Sequence, residues 1–377
     1  MKKHLKRIAA SVSAICLAAT FCTSLSASAV SFWPKTVMTK SSDMWNSYRS
    51  QTIHLDYCTS KEDYQDYLYN PGRDIRAVST SSAPNHSITV NYSDVLGAYT
   101  GSYDYWQAAQ CGLYTVEKAF DFYQNIGYTR SGIYVAINDH STYVPNGNGG
   151  ERENCWASGN TIMFGLGSND PTQPGAVRFL GTATDVATHE FTHIVTQDKV
   201  GWGSYSLPTE TAALMEAYSD IMAELADEKH DWKVGTSVLI QNGSNGSYYS
   251  FRNLANPGQT HNPRTPGVTY YSNYNTWKNY CNTHPNANGN IAGGSTVISH
   301  AAYLMHDMGF TDATLAKIWL KSLDKYNSST VSHATFQDCR SAFYDAAMEV
   351  LGQIGGRYYI AQVLTLMTAF DQVGVTA

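Results

Sequence analysis

The chain of 377 residues has no long run of charge of one sign, and only 15% of its residues are charged, for a formal net charge of -6. The absence of a basic run excludes the electrostatic footprint of a nucleic-acid-binding protein and a basic membrane-surface patch. No stretch beyond the first 30 residues is long and apolar enough to span a bilayer. The sequence also lacks internal repeats and proline-rich linkers, so nothing in it predicts an additional domain.

Cysteine is scarce and widely spaced. Two of the seven cysteines lie within the first 29 residues, and the other five form no CxxC pair of the kind that holds structural zinc: Cys58, Cys111, Cys155, Cys281 and Cys339. Because five is an odd number, at least one of them stays free or pairs with another molecule. An exported protein can form disulfides, but the sequence leaves their pairing open.

The first 29 residues have the order of a secretory signal peptide. Four basic residues precede an apolar stretch over 8–21, and Ala27-Ser28-Ala29 is a small-x-small cleavage pattern. An uncleaved membrane anchor is the alternative, but the apolar run is short and rich in serine and alanine. We therefore expect residues 1–29 to be removed, leaving a protein that is secreted from a bacterial cell and has no membrane association.

The remaining chain changes character near residue 184. Residues 30–183 alternate short strand patterns with Gly, Pro, Ser and Asn breaks, and one helix is predicted over 106–126. Residues 184–377 are rich in helix patterns, at 184–197, 209–229, 296–308, 311–323, 335–351 and 358–373. We predict an α+β fold of two lobes, a strand-rich lobe over 30–183 and a mostly helical one over 184–377, joined by the helix that starts at Thr184.

That joining helix carries the sequence His189-Glu190-Phe191-Thr192-His193. Two histidines four residues apart lie one turn apart on the same face, where both can bind one zinc ion. Glu190 stands beside the first ligand and can polarise a water molecule at the metal. The alternative is a surface helix with two solvated histidines.

A third ligand is available on the next predicted helix. Catalytic zinc usually has three protein ligands and one open position. Glu216 and Asp220 lie on one face of an otherwise apolar helix, so Glu216 can be the third ligand and Asp220 can orient a ligand imidazole. The alternative is that both acids are solvated, as such residues usually are.

With these residues the sequence resembles the thermolysin family of zinc endopeptidases, whose pattern is HExxH followed by Glu-(x)3-Asp on a second helix. The likeness extends to the segments 154–165, 251–257, 299–304 and 369–375. It implies a two-lobed thermolysin-like fold, one catalytic zinc ion and a peptide or protein substrate cut by a monomer. Glu190 would take a proton from water and pass it to the leaving amine.

The resemblance also implies a substrate cleft. Asn154 and Cys155 match the family's edge strand that pairs with substrate backbone, and Arg252 matches its arginine for a substrate carbonyl. The residues that match its main specificity pocket are Leu180, Val186 and Phe251. We therefore expect a preference for an apolar residue just after the scissile bond.

The sequence departs from the family at the residues that donate hydrogen bonds to the oxyanion of the reaction intermediate. The family's oxyanion histidine and the aspartate that orients it fall at Ala292 and Ala287, and a family tyrosine falls near Leu207. Loss of an oxyanion donor costs on the order of a hundredfold in rate. His284 and Tyr205 are the candidate substitutes, although His284 can equally be an ordinary loop residue. The alternative function is a catalytically weak or inactive zinc-binding relative that recognises peptides or a protein partner.

The family's double calcium site is also altered. Asp185, Asp227 and Asp231 match its acids, but Lys233 and Thr236 replace two others. Calcium needs six to eight oxygen ligands, and a lysine ammonium repels it. We expect no double site and at most one weak calcium ion.

Overall fold

A computed structural model describes residues 32–43, 46–60, 66–70, 72–79, 89–90, 105–138, 153–168, 174–203, 206–241, 249–287, 289–355 and 358–377. The predicted signal peptide and Tyr205 lie outside the described residues. Among the described helices, none combines the length and apolar character that crossing a bilayer requires.

Two sheets make up the N-terminal part. The first is antiparallel with strand order β1-β2-β3-β6, formed by β1 (Phe32–Asp43), β2 (Asn46–Ser60), β3 (Asp66–Tyr67) and β6 (Thr89–Val90). The second has the order β4-β5-β7-β9-β8, formed by β4 (Tyr69–Asn70), β5 (Ile75–Ser79), β7 (Ile133–Asn138), β8 (Cys155–Ser158) and β9 (Thr161–Gly165). Its three inner strands are parallel, while β4 and β8 run antiparallel at the edges.

Helix α1 (Tyr105–Asn125) covers the second sheet. The apolar positions at helical spacing, from Leu113 to Tyr123, are buried as the sequence predicted. Gly112 is the point of closest approach, because a Cβ there would lie only 3.1 Å from Val135 and 3.3 Å from Phe164. The sheet is thereby held against α1, and its edge strand β8 packs on the next helix.

Helices α2 (Thr184–Val200) and α3 (Thr209–Ala226) form the centre of the molecule. Helix α2 follows a 3-10 turn at Leu180–Thr182 and ends at Gly201, whose left-handed backbone (φ 75°) stops the helix. It contacts α1 and β8 on one side and α3 on the other. Both central helices are buried along most of their length, which explains how polar groups on them can form an enclosed site.

The C-terminal part is helical, and a two-stranded pair, β10 (Lys233–Val234) with β11 (Arg252–Asn253), precedes it. Its helices are α4 (Tyr274–Thr283), α5 (Asn290–Asp307), α6 (Asp312–Ser322), α7 (Phe336–Ile354) and α8 (Tyr359–Gln372). A strand-containing N-terminal part and a mostly helical C-terminal part confirm the predicted α+β fold.

Two details differ from the sequence prediction in this part. Helix α4 was not predicted, and α5 begins at Asn290, six residues before the predicted start at Thr296. Helix α4 is capped by the Asn273 side chain, which accepts hydrogen bonds from two backbone N–H groups. Because α5 begins at Asn290, Ala292 lies in its first turn.

Candidate metal centre and active site

Three side chains from α2 and α3 bring their metal-binding atoms together. The Nε2 atoms of His189 and His193 are 3.2 Å apart. Glu216 faces both rings, with Oε2 3.5 Å from His189 Nε2 and Oε1 3.6 Å from His193 Nε2. These groups are buried or nearly so, with side-chain exposures between 8% and 11%. They form one enclosed cluster at the junction of the two helices.

The spacing and chemistry of this cluster fit a zinc ion. Tetrahedral zinc, with ligand distances of about 2.0–2.2 Å, separates its ligand atoms by roughly 3.3–3.6 Å. The three separations observed here, from 3.2 to 3.6 Å, lie within about 0.1 Å of that range. Two imidazoles and one carboxylate are also a ligand set of catalytic zinc sites, in which a fourth position stays open.

The charges around the cluster favour a cation. Burial alone would lower the pKa of His189, but its contacts with Asp220 and Glu216 raise it to about 10. Burial lowers the pKa of His193, and the positive charge of His189 adds to this. Burial would raise the pKa of Glu216, yet the imidazoles and Arg252 lower it. The negative groups that hold a proton on His189 would equally stabilise a divalent ion.

A layer of polar groups surrounds the ligands. Asp220 is fully buried, with Oδ1 3.0 Å from His189 Nδ1 and Oδ2 2.5 Å from Arg252 Nε. Both contacts are ion pairs between the Asp220 carboxylate and a neighbouring basic group. Ser219 Oγ lies 3.3 Å from His193 Nδ1. Each histidine therefore has a partner for the nitrogen that faces away from the cluster.

Arg252, expected to contact a substrate carbonyl, is directed at the buried acids. Besides Asp220, its Nη2 lies 3.7 Å from Glu216 Oε2 and 3.5 Å from His189 Nδ1. Its pKa is raised, since the charges of Asp220 and Glu216 outweigh the effect of burial. The guanidinium thus stands at the wall of the cluster, with 14% of its side chain exposed.

Glu190 lies beside the cluster with its two oxygens in different surroundings. Oε1 accepts a hydrogen bond from the thiol of Cys155 at 3.0 Å. Oε2 is buried and has no hydrogen-bond partner among the described residues. The whole residue is only 4% exposed. An unpartnered buried carboxylate oxygen is costly, so it marks a place where a ligand or water belongs.

The edge strand β8 borders this group. Asn154, just before it, is exposed, and its backbone carbonyl accepts a hydrogen bond from Gly165. A narrow pocket of about 40 Å³ lies between the strand and the two central helices, lined by Trp156, Ala157, Glu190, His193, Gln197, Gly203 and Met215. The free side of an edge strand can pair with an extended peptide, which would then run past Glu190.

The three residues expected to line an apolar pocket lie within or against one core. Leu180 and Val186 are 1% and 3% exposed, and Phe251 is partly buried against the same cluster. The Phe251 ring lies over Gly235, where a Cβ would be only 2.2 Å away. The backbone of Phe251 is held by a hydrogen bond from its N–H to the Val234 carbonyl.

The candidate oxyanion substitutes are not brought to the cluster by any described contact. His284 is the exposed C-terminal cap of α4, where it stacks on Tyr280 with ring centroids 4.4 Å apart. Its Nδ1 contacts Thr283 Oγ1 at 2.9 Å, so the contacts of the imidazole ring are with its own helix. Ala292 lies in the first turn of α5, and Leu207 is partly buried.

A second acidic group lies at the C-terminal end of α3. Glu224, Asp227 and Asp231 place carboxylate oxygens within 4.8 Å of one another. Both Glu224 oxygens are buried without a hydrogen-bond partner among the described residues, and burial followed by the charge of Asp185 raises its pKa well above the usual value. Burial also raises the pKa of Asp185 to about 6. Asp231 is the exposed residue of this acidic group, and its carboxylate accepts hydrogen bonds from Lys233 N–H and Thr236 Oγ1.

Sequence reasoning missed three of these features. Ser219 was overlooked as a partner of His193, although its position next to Asp220 on the same helix was a usable signal. The contact between Cys155 and Glu190 joins residues 35 positions apart, and nothing in the sequence indicates it. Glu224 was overlooked beside the three aspartates, although it lies two turns after Glu216 on α3.

Comparison with known proteins agrees with this geometry. Residues 43–197 match the model of the thermolysin metallopeptidase catalytic domain, and residues 205–375 match that of the thermolysin metallopeptidase alpha-helical domain. The neutral protease NprE of Bacillus pumilus is 25% identical over 251 residues, covering 65% of this chain and 72% of that protein. Bacillolysin of Bacillus subtilis (strain 168) is also 25% identical over 251 residues, but this covers only 42% of its length.

The fold has a counterpart among solved structures. The precursor of protealysin, a metalloproteinase from Serratia proteamaculans, superposes with a TM-score of 0.55 at 17% identity, covering 80% of this chain and 87% of that one. At this identity the likeness concerns the fold. Together, the two matched models extend over most of the chain on both sides of the metal cluster. The chain belongs to the thermolysin family of metallopeptidases.

Proposed function

We propose that the protein is a zinc-dependent endopeptidase. The observation that carries this proposal is the triangle of His189, His193 and Glu216, at spacings that fit zinc, next to a buried Glu190 oxygen without a partner. Family membership supports the same reading. Asp220 and Ser219 would hold the two imidazoles in the orientation that presents Nε2 to the ion.

When bound, zinc would polarise the scissile carbonyl and make a water molecule more acidic. The protein supplies the proton transfers. Glu190 Oε2 would accept the proton of the attacking water and then deliver it to the leaving amine. Oε2 has no hydrogen-bond partner among the described residues, so it is available to accept this proton. General acid–base catalysis of this kind contributes about 10²–10⁴ in rate.

The substrate would bind as an extended peptide along β8. Backbone groups of the strand and the exposed Asn154 side chain would hold the substrate main chain. Arg252 would contact a substrate carbonyl from its position against Asp220 and Glu216. Leu180, Val186 and Phe251, which the family resemblance assigns to the main specificity pocket, would contact an apolar side chain just after the scissile bond. Cleavage-site profiling on a peptide library tests this, and a charged preference at that position would contradict it.

A second candidate function is zinc-dependent recognition of peptides or a protein partner with weak or no turnover. Ala292 and Ala287 favour it, because neither side chain can donate a hydrogen bond to an oxyanion. The exposed, helix-bound position of His284 favours it as well. The retained Glu190 argues for turnover.

One experiment separates the two functions. Purified protein is given casein or a peptide mixture with and without a zinc chelator, and Glu190→Gln serves as the matched variant. Endopeptidase function predicts cleavage that the chelator abolishes and that Glu190→Gln reduces by about 10²–10⁴. Zinc bound at one equivalent, with no Glu190-dependent cleavage, would establish the second function.

The acidic group at the end of α3 would take at most a single weak calcium ion. Asp185, Asp227 and Asp231 match the family's calcium-binding acids, and the two unpartnered oxygens of buried Glu224 support one ion at this position. Lys233 and Thr236 occupy positions where a second ion would need oxygen ligands. Calorimetric titration should show at most one calcium ion, and two tight ions would overturn the proposal.

We also propose that the protein is secreted and that it has two lobes. The signal-peptide pattern supports cleavage after residue 29 and secretion. The secreted protein would act on peptides or proteins as a monomer. The lobes would be residues 30–183 and 184–377. N-terminal sequencing of the protein recovered from culture medium tests the cleavage site, and a retained N-terminus on cell membranes would contradict it.

A further inference from the structure

We propose that Cys155 is a positioning residue that orients Glu190 for proton transfer, an inference that rests on the proposed peptidase function. The contact is direct, since the Cys155 thiol donates a hydrogen bond to Glu190 Oε1 at 3.0 Å. In the described structure this is the hydrogen bond that holds the Glu190 carboxylate.

The contact gives the two carboxylate oxygens of Glu190 different roles. Oε1 is fixed by the thiol, while Oε2 stays unpartnered and buried. A carboxylate on a side chain with three rotatable bonds can turn either oxygen toward a reacting group unless one of them is held. The thiol therefore selects Oε2 as the oxygen that receives and returns the proton.

The position of Cys155 on the backbone makes it a rigid donor. It is the first residue of β8, paired in register with Phe164 of β9, and the preceding carbonyl accepts a hydrogen bond from Gly165. The strand itself packs against α2, which carries Glu190. Donor and acceptor thus sit on two elements that pack on each other, and small rotations of the thiol suffice to keep the bond.

The Cys155 thiol is suited to donating a hydrogen bond and not to binding metal or attacking substrate. Burial and the charge of Glu190 raise the pKa of Cys155 well above its usual value, so it remains S–H. A cysteine ligates metal and reacts as a nucleophile in its thiolate form. Its sulfur is also outside the group of ligand atoms formed by His189, His193 and Glu216.

Kinetics of two variants test the positioning role. Cys155→Ala removes the donor, so kcat should fall about tenfold with less than about a twofold change in KM. Cys155→Ser restores a donor of similar size, and its kcat should stay within about threefold of the parent. Cys281→Ala, a thiol on α4, is the control and should leave kcat unchanged. Parental kcat in Cys155→Ala, or equal losses in the Ala and Ser variants, would overturn the proposal.

A chemical measurement tests the contact without any substrate. Iodoacetamide alkylation of Cys155, followed by peptide mass mapping, should be at least about tenfold faster in Glu190→Gln, because a neutral amide no longer opposes the thiolate. Equal alkylation rates would overturn the contact. Faster alkylation in Glu190→Gln, combined with no cleavage by the parent protein, would overturn the peptidase function while leaving the pairing of Cys155 and Glu190 in place.

Discussion

Replacing Asp220 by asparagine tests whether the buried polar layer controls metal affinity. The change keeps the shape of the side chain but removes a charge that lies 3.0 Å from His189 Nδ1 and 2.5 Å from Arg252 Nε. An amide can present its NH2 group to the imidazole, which disturbs the tautomer that offers Nε2 to a metal. We therefore expect weaker zinc binding in a protein that still folds.

The magnitude follows from the contacts. Loss of an outer partner of a metal-bound histidine typically costs 10–100-fold in metal affinity, or about 1.4–2.7 kcal/mol. Removing one partner of a buried ion pair typically costs 3–5 kcal/mol of stability. In Asp220→Asn, Arg252 still has Glu216 as an ion-pair partner at 3.7 Å. We therefore expect a loss of stability at the low end of that range, about 3 kcal/mol.

The assay is a competition between the protein and a chromophoric chelator of known zinc affinity, with urea unfolding measured in parallel. Glu210→Gln is the matched control, because Glu210 is a buried acid on the same helix that pairs with Lys278 Nζ at 2.6 Å, away from the metal ligands. It should lose stability and keep the parental zinc affinity. A folded Asp220→Asn protein with parental zinc affinity would refute the reasoning.

Three further predictions concern stability. Burial raises the pKa of Asp185 to about 6 in the folded protein, compared with about 4 in the unfolded chain. In the calcium-free protein, the protonated carboxyl therefore favours the folded state below pH 4, and this contribution is lost as pH rises through 6. Calcium should therefore raise the unfolding temperature more at pH 7 than at pH 5, and equal increases would contradict this. Glu224→Gln should raise the stability of the calcium-free protein at pH 7 and weaken calcium binding in calorimetry, whereas unchanged calcium binding would exclude Glu224 as a ligand. Gly294→Ala should lower the free energy of unfolding, measured with urea, by about 1–3 kcal/mol, because the new Cβ would lie 2.5 Å from the Trp277 ring. Gly352→Ala is the control and should not lower it, because no neighbour lies closer than 3.7 Å to that Cβ.

The sequence predicted the parts of the fold that depend on local pattern. Helix α1 was recognised from apolar residues at helical spacing, and α2 and α3 were recognised with starts at Thr184 and Thr209 that agree with the structure. The metal residues followed from the spacing of His189 and His193, since a helix alone places them on one face.

The remaining features depend on contacts between distant segments. Gly293 and Gly294 precede the predicted helix start at Thr296, yet both lie in α5, where a Cβ on Gly293 would be 2.3 Å from the Thr269 carbonyl oxygen. Glycine is needed there for close packing and not for a turn. The hydrogen bond between Cys155 and Glu190 likewise depends on how β8 docks against α2, which no local pattern encodes.

The three candidate zinc ligands are divided between the two matched segments of the chain. His189 and His193 belong to the segment 43–197, while Glu216 belongs to the segment 205–375. His189 and His193 lie on α2 and Glu216 lies on α3, so the site is complete only while these two helices are packed together, and zinc binding is thermodynamically linked to that packing. Free zinc at 100 times its dissociation constant would add about 2.7 kcal/mol against separation of the two helices. The ion would then stabilise the packing of α2 against α3 as well as take part in the reaction, and metal depletion would weaken this contact.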